Sequence, residues 1–460
     1  MNRNSIRIAV VFAALFTAVS CEAADQRPKN LILMIADGCG YGHVAAADFY
    51  EAGRLGAQVY EKFPVRVAVS TYSLNTDGYD PSLAEADFGY VEMAGLLPRK
   101  PTDSAAAATA LSTGVKTRNG HIGVDSLKQP LENIAERCEK LGKATGVVTT
   151  VPFPHATPAG FAVHAGDRGS MPEIAADMLC QSGLEVLMGC GHPLYDRGGL
   201  PLETPDFRLF GGQARWDSLT LGQCGADRDG DGVPDPWTFI DSLAQFRVYA
   251  SGPAPDRLFG LPRVRETLQQ GRGGRVSAPP DSVPFIDGVP SLAEMTSAAL
   301  NVLDNDPDGF FLMIEGGAVD WASHGNQSGR MIEEMRDFNR AVDTVVEWVE
   351  RNGGWEKTLV IVTSDHETGR PTSPSAESLW AATPASDKAT LLDPVNRGRG
   401  NMPDLVWHTV RHTNALVPLY AKGSGSTLLA ERAKQKDPVR GRFIDNTDVA
   451  RVIFRLSPLP

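Results

Sequence analysis

Glu315, Asp320 and His324 fall within ten residues in the stretch Ile314-Glu-Gly-Gly-Ala-Val-Asp-Trp-Ala-Ser-His-Gly325. Carboxylate oxygen together with imidazole nitrogen is the donor set that zinc takes. Asp320 and His324 are four apart, so one helical turn would put them on one face. A second pair, Asp365 and His366, stands in Thr363-Ser-Asp-His-Glu-Thr-Gly369 and could give two ligands to one ion. His412, in Arg411-His-Thr-Asn414, is a further imidazole, and His408 competes with it from four residues earlier. Ser104 opens an alanine-rich segment, Thr102-Asp-Ser-Ala-Ala-Ala-Ala-Thr-Ala-Leu-Ser-Thr-Gly114. Serine is a favoured helix cap. A helix start also binds phosphate through its free N–H groups, so Ser104 reads equally as a nucleophile aimed at phosphorus.

Chemistry of this kind needs a frame that gathers distant side chains. Asn30 to Ala36, Gly146 to Thr150, Gly309 to Ile314 and Thr358 to Thr363 are short apolar runs, the pattern of parallel strands covered on both faces. Helical patterns over Ala105 to Ser112, Leu131 to Leu141, Ser291 to Leu303 and Arg330 to Arg351 alternate with them. That alternation predicts a doubly wound sheet, with ligands outside the carboxyl ends of its strands. Acids follow three of the runs at once or within two residues: Asp37, Glu315 and Asp365. A lone acid after a strand caps a turn, but three joined by histidines do not fit capping. The stretch at about 190–285 is rich in Gly, Pro and Asp and reads as a loop-rich insertion, and Asp448 to Leu456 reads as a terminal helix.

The chain carries a net charge of -12, which argues against nonspecific nucleic-acid binding and would repel an anionic substrate. Metal ions or an arginine would have to reverse the sign locally. Residues 1–24 read as a signal peptide, with Arg3 and Arg7 before the apolar run Ile8 to Val19. Cleavage before Cys21, as in a lipoprotein with a lipid anchor there, and ordinary cleavage near Ala23 or Ala24 are the two alternatives, and either predicts export. No later apolar run is long enough to span a bilayer. Of the six cysteines, Cys180 and Cys190 are near enough to close a small disulfide loop, or stand as two unpaired small apolar residues.

Asp37-Gly, Asp103-Ser104-Ala-Ala, His155-Ala-Thr157-Pro, Glu315 with Asp320 and His324, Asp365-His366 and His412-Thr together resemble the alkaline phosphatases, in order and approximate spacing, across nearly the whole of residues 25–460. The resemblance implies a three-layer α/β/α domain with a large, mostly parallel central sheet, two zinc ions, one magnesium ion and a homodimer. It implies one zinc on Asp320, His324 and His412, and a second on Asp37, Asp365 and His366, with Ser104 joining as it reacts. Magnesium would sit on Asp37, Thr157 and Glu315, with His155 close by. Arg168, eleven residues after Thr157, matches the family arginine that grips two phosphate oxygens with its planar fork. The implied reaction is hydrolysis of phosphate monoesters through a phosphoserine.

Two positions depart from the pattern. His155 stands where aspartate is common, and Trp321 where lysine or histidine is common. Both bear on magnesium and phosphate affinity. Separately, Asp227, Asp229 and Asp231 before Gly232 resemble the first half of a calcium loop, but Thr238 holds the place of the closing Glu. A structural calcium site and an acidic surface turn are the two readings of 227–235. Competing functions are a phosphodiesterase or phosphonate hydrolase of the same superfamily, and a metal- or phosphate-binding protein without turnover. A sulfatase is excluded, because the Cys/Ser-x-Pro-x-Arg motif is absent at Ser104.

Overall fold

The computed structural model describes residues 27–76, 78–92, 100–228 and 232–459. The signal segment, with Cys21, and positions 229–231 of the acidic loop lie outside them. Among the described residues an eleven-stranded sheet forms the frame. Its strand order is Gln435–Asp437, Gly441–Asp445, Val65–Ser70, Val417–Gly423, Thr358–Thr363, Asn30–Ala36, Phe310–Gly316, Ala144–Pro152, Val186–Cys190, Leu258–Gly260 and Thr238–Ile240. Pairing is parallel from Thr358–Thr363 through to Thr238–Ile240. Antiparallel pairs enter only around Val417–Gly423 and at the Gln435–Asp437 edge.

The four strands expected from apolar runs are the centre of this sheet. Each is buried on both faces, which is why they read as unbroken apolar segments. Their side chains alternate between two cores. Leu31, Leu33 and Ile35 join Phe311 and Met313 beneath the helices Ser104–Thr113, Met171–Cys180 and Thr447–Leu456. Ile32 and Met34 join Phe310, Leu312 and Ile314 beneath Tyr41–Ala52, Leu292–Leu303 and Ser328–Arg351. The result is the three-layer arrangement that the alternation of strands and helices predicts.

Two expectations change. The helix expected over Leu131 to Leu141 is only Ile134–Glu139, because Asn133 caps it with the Glu136 N–H while Glu136 bonds back to the Asn133 N–H. Cys180 does not pair with Cys190. It bonds to Cys224, with Cα atoms 5.5 Å apart, while Cys190 is a buried free thiol at the end of its strand. The loop-rich stretch contributes the two short strands Thr238–Ile240 and Leu258–Gly260 at the sheet edge. No helix among the described residues is long and apolar enough to cross a membrane.

Candidate metal centre

The centre follows from the register of the middle strands. Ile35 lies level with both Glu315 and Thr363, and Thr149 lies level with Glu315. Asp37, Glu315 and Asp365 therefore leave the sheet at one edge, the carboxyl end of parallel strands. The helix Ala318–His324 follows at once and carries Asp320 and His324. A two-residue pairing of Glu367–Thr368 with His412–Thr413 brings in His412, some ninety residues after Asp320, opposite Thr368. His408 takes another place: its Nε2 lies 2.8 Å from Thr372 Oγ1 and its ring meets Phe88 edge-on.

Two groups of ligand atoms lie within 4.8 Å of one another: Asp37, Asp365 and His366, and Asp320, His366 and His412. His366 Nε2 is 3.1 Å from Asp365 Oδ2 and 3.5 Å from Asp37 Oδ1. His324 Nε2 is 3.3 Å from Asp320 Oδ2 and 3.1 Å from His412 Nε2. Asp37 and Thr157 both stand next to Glu315, with Thr149 donating to Glu315. Asp37, Glu315, Asp365 and His366 are wholly buried.

Burial without a counter-charge shifts these groups strongly. Burial, then the neighbouring Asp365, pushes the Asp37 carboxyl up. Burial pushes Glu315 up to about 8, and burial with the nearby Asp320 charge pushes Asp365 up to about 7. Burial also favours the neutral form of Asp320, but the His324 hydrogen bond and the charges of His412, His324 and His366 outweigh it and hold that carboxyl low. Burial drives His366 down, helped by His412. Both Asp37 oxygens, one oxygen each of Glu315 and Asp365, and the Thr157 hydroxyl have no hydrogen-bond partner among the described residues. Buried polar atoms in folded proteins are nearly always satisfied, so such a concentration marks a site built for cations.

Ser104 sits beside these groups. The helix Ser104–Thr113 is capped by Asp103, whose Oδ1 accepts the Ala106 N–H at 3.0 Å. Ser104 is thus the first helical residue and its hydroxyl is not used as a cap. Its Oγ lies 3.3 Å from His366 Nε2. The run of alanines lets the helix lie flat against its neighbours: a Cβ on Gly160 would meet the Ala108 methyl at 2.7 Å. Asp103 Oδ2 also accepts from Arg168 Nη1 at 3.0 Å and from the Gly120 N–H at 2.9 Å. This fixes the guanidinium beside Ser104, and its Nη2 reaches within 3.4 Å of His155 Nε2. Burial, and then the Arg168 charge, pushes His155 down to about 3. The Trp321 ring stands 5.8 Å from that of His155. Ser104, His155, Arg168, Asp320, Trp321, His324 and His412 all face one open cavity of about 460 Å³.

A shell of hydrogen bonds aims the ligands. His324 Nδ1 lies 2.7 Å from the Val410 carbonyl and His412 Nδ1 lies 2.8 Å from the Thr102 carbonyl. Each Nδ1–H donates there, which leaves Nε2 as the free lone pair. Thr368 does more. Its hydroxyl donates to Asp320 Oδ1 at 2.6 Å and lies 3.3 Å from His366 Nδ1, and its N–H donates to the Gly38 carbonyl at 2.9 Å.

The donor chemistry fits metals on this geometry. Mixed nitrogen and oxygen donors around His366, His324 and His412 suit zinc, and the all-oxygen set of Asp37, Thr157 and Glu315 suits a harder cation. A sequence model of alkaline phosphatases matches residues 28–199 and 281–396. The chain belongs to the alkaline phosphatase family. Alkaline phosphatase 4 of Bacillus subtilis is 27% identical, over 98% of this chain and 95% of its own length. The Escherichia coli alkaline phosphatase is 30% identical over 75% of this chain and 71% of its own. Among solved structures, the alkaline phosphatase of the Antarctic bacterium TAB5 superimposes with a TM-score of 0.62 at 26% identity, covering 94% of this chain and 99% of that one. A variant of that enzyme, one histidine replaced by glutamate, is described with magnesium bound in its M3 site, at 25% identity, a TM-score of 0.61 and coverage of 94% and 98%.

In this alkaline phosphatase family member, Asp37, Thr157, Glu315, Asp320, His324, Asp365, His366 and His412 lie together at one centre, and His408 does not. The roles of Asp103 as cap and clamp, of Thr149 and of Thr368 escape a sequence reading. Thr368 had one signal available: it lies two residues after His366, so a strand points both the same way. Gln270, from the loop-rich stretch, also faces the cavity, and nothing in its local sequence marks it. In the acidic loop, Asp227 Oδ2 accepts the Gly232 N–H at 3.0 Å, and the Asp229 and Asp231 positions of the expected calcium site lie outside the described residues.

Proposed function

We propose that this protein hydrolyses phosphate monoesters through a phosphoserine on Ser104. The observation that carries the reading is the position of that hydroxyl: uncommitted to capping, 3.3 Å from His366, and flanked by Arg168 and four buried carboxylates. Asp320, His324 and His412 would hold one zinc, Asp37, Asp365 and His366 a second, and Asp37, Thr157 and Glu315 a magnesium. Bound there, such ions would supply positive charge to the attacking and leaving oxygens and lower the pKa of a hydroxyl or water.

The chain's own groups account for the rest. Arg168, held at one edge by Asp103, offers its remaining N–H groups to two non-bridging phosphate oxygens. The first-turn N–H groups of the Ser104 helix favour the same anion. Ser104 Oγ gives up its proton to solvent and bonds to phosphorus while the bond to the alcohol oxygen breaks, and the alkoxide leaves with that electron pair and takes a proton from solvent. Water then attacks phosphorus from the side the alcohol left, losing a proton, the bond to Ser104 breaks with its electron pair on Oγ, which regains a proton, and inorganic phosphate departs. A serine at the nucleophile position, with Thr157, Glu315 and Arg168 near it, supports a monoester over a diester.

The test compares a chromogenic phosphomonoester with its diester, with and without chelator. Monoester turnover abolished by chelator, together with phosphate trapped at Ser104 by mass spectrometry at low pH, is the expected result. A preference for the diester, or turnover retained in Ser104→Ala, would overturn it. Export is part of the same reading, consistent with the Cys180–Cys224 disulfide. Homodimer assembly and lipid attachment at Cys21 are read by sedimentation and by the mass of the mature N-terminus.

A further inference from the structure

The cavity over Ser104, about 460 Å³, is several times larger than a phosphate ion requires. The surplus is room for the alcohol half of a substrate. One wall comes from far away in sequence: Gln270, on the loop-rich stretch, faces the cavity with Trp321 and His324. Its amide is not loose. Nε2 donates to Gln327 Oε1 at 3.0 Å, and Gln327 is itself anchored by its N–H to the Ala322 carbonyl at 2.9 Å. Gln327 follows His324 by three residues, so Gln270 is tied to the wall that carries Asp320, His324 and His412. Among the described residues, no donor bonds to Gln270 Oε1. It is a neutral acceptor on the rim, beside Trp321 and His324, while the charged Asp320 and Arg168 and the Ser104 hydroxyl line the same cavity.

On these observations, and resting on the phosphomonoesterase reading, we infer that Gln270 is a specificity-determining residue. It reads the leaving alcohol and favours phosphate monoesters whose alcohol carries a second hydroxyl group. The physical basis is asymmetric. A hydroxyl-bearing alcohol donates to Oε1, whereas an alkyl alcohol leaves that oxygen facing carbon. Because the cavity is open to solvent, the discrimination is modest, roughly tenfold for one such hydrogen bond. Trp321 supplies the apolar face along which the carbon chain lies.

The experiment uses the metal-loaded full chain and two esters of equal chain length, glycerol 3-phosphate and propyl phosphate. In the wild type, kcat/KM should favour glycerol 3-phosphate about tenfold. Gln270→Leu should bring that ratio close to one, with most of the change in KM for glycerol 3-phosphate. Gln270→Ala should do the same, which guards against a folding defect peculiar to leucine. Gln270→Glu keeps an acceptor and should keep the preference, even if its charge slows both reactions. Damage to the site in general would lower both esters alike and leave the ratio standing. A wild type without preference, or a ratio unmoved by Gln270→Leu and Gln270→Ala, overturns the assignment while hydrolysis itself stands. Hydrolysis of neither ester by the wild type would sink the phosphomonoesterase reading and this inference with it.

Discussion

Thr368 shows how much a single hydroxyl can organise. It bonds to Asp320 at 2.6 Å, lies 3.3 Å from His366, and sits opposite His412 in the short ladder. Partners of this kind hold metal ligands in their bonding direction, and losing one typically costs about 10- to 100-fold in metal affinity. Thr368→Val keeps the shape and deletes the bond. Zinc should then leave the folded protein at least about tenfold faster on chelator challenge, and Thr368→Ser should restore retention. Equal loss rates for Val and Thr would refute the role. Trp321 is a second test at this scale. It puts an indole where a lysine would put a cation beside the phosphate. Trp321→Lys should tighten inhibition by phosphate on the order of tenfold, about 1.4 kcal/mol. A phosphate inhibition constant that does not fall would show that the indole is not what loosens the product.

Among elements, the turn after the strand Asn30–Ala36 is the constraint that bears directly on the centre. Gly38 has φ 71°, and a Cβ there would lie 2.9 Å from Asp320 Cα and Cβ. The left-handed conformation alone costs an L-residue about 1–2 kcal/mol. The clash falls on a candidate ligand, and the Gly38 N–H also donates to Asp365 Oδ1 at 3.1 Å. Gly38→Ala should therefore lower both the melting temperature and the metal content. A variant that melts as the wild type does and binds its full complement would show that the turn is slack. The Ser104 helix makes the complementary point. Asp103 takes the cap, the clamp on Arg168 and the Gly120 contact together, so one carboxylate sets the relation of nucleophile to guanidinium.

For the whole molecule, the buried carboxyls link stability to pH. Burial raises Glu315 to about 8, Asp365 to about 7, and, away from the centre, Glu334 to about 8 and Asp337 to about 6. A carboxyl raised on folding binds its proton more tightly in the folded state. Its stabilisation is complete below the unfolded pKa near 4 and is lost as pH climbs through the folded value. Buried histidines held low, His155 and His366 among them, act in the opposite sense up to about pH 6.5, so the metal-free protein should lose stability chiefly from about pH 6.5 to pH 8. Metal ions compete with those protons at the centre and should reverse most of the loss. Thermal melts across that range, with and without chelator, check the slope. A metal-free melting temperature that rises towards pH 8 would contradict it.

The amino-acid sequence by itself determined the four central strands, most of the helices that flank them and the candidate ligands. Each of these is written locally, as an apolar run, a helical period, or an acid or histidine of the right donor type. What only the tertiary structure decided is who stands next to whom. Cys180 met Cys224 and not its nearer neighbour Cys190, and the helix over Leu131 to Leu141 shrank to fit its Asn133 cap. The local sequence left His412 and His408 as rivals, the resemblance chose His412, and the two-residue pairing with Thr368 is what carries it to the centre. Gln270 came to the cavity from a stretch with no pattern at all. Such contacts depend on strand register and chain crossing, which no window of neighbouring residues encodes.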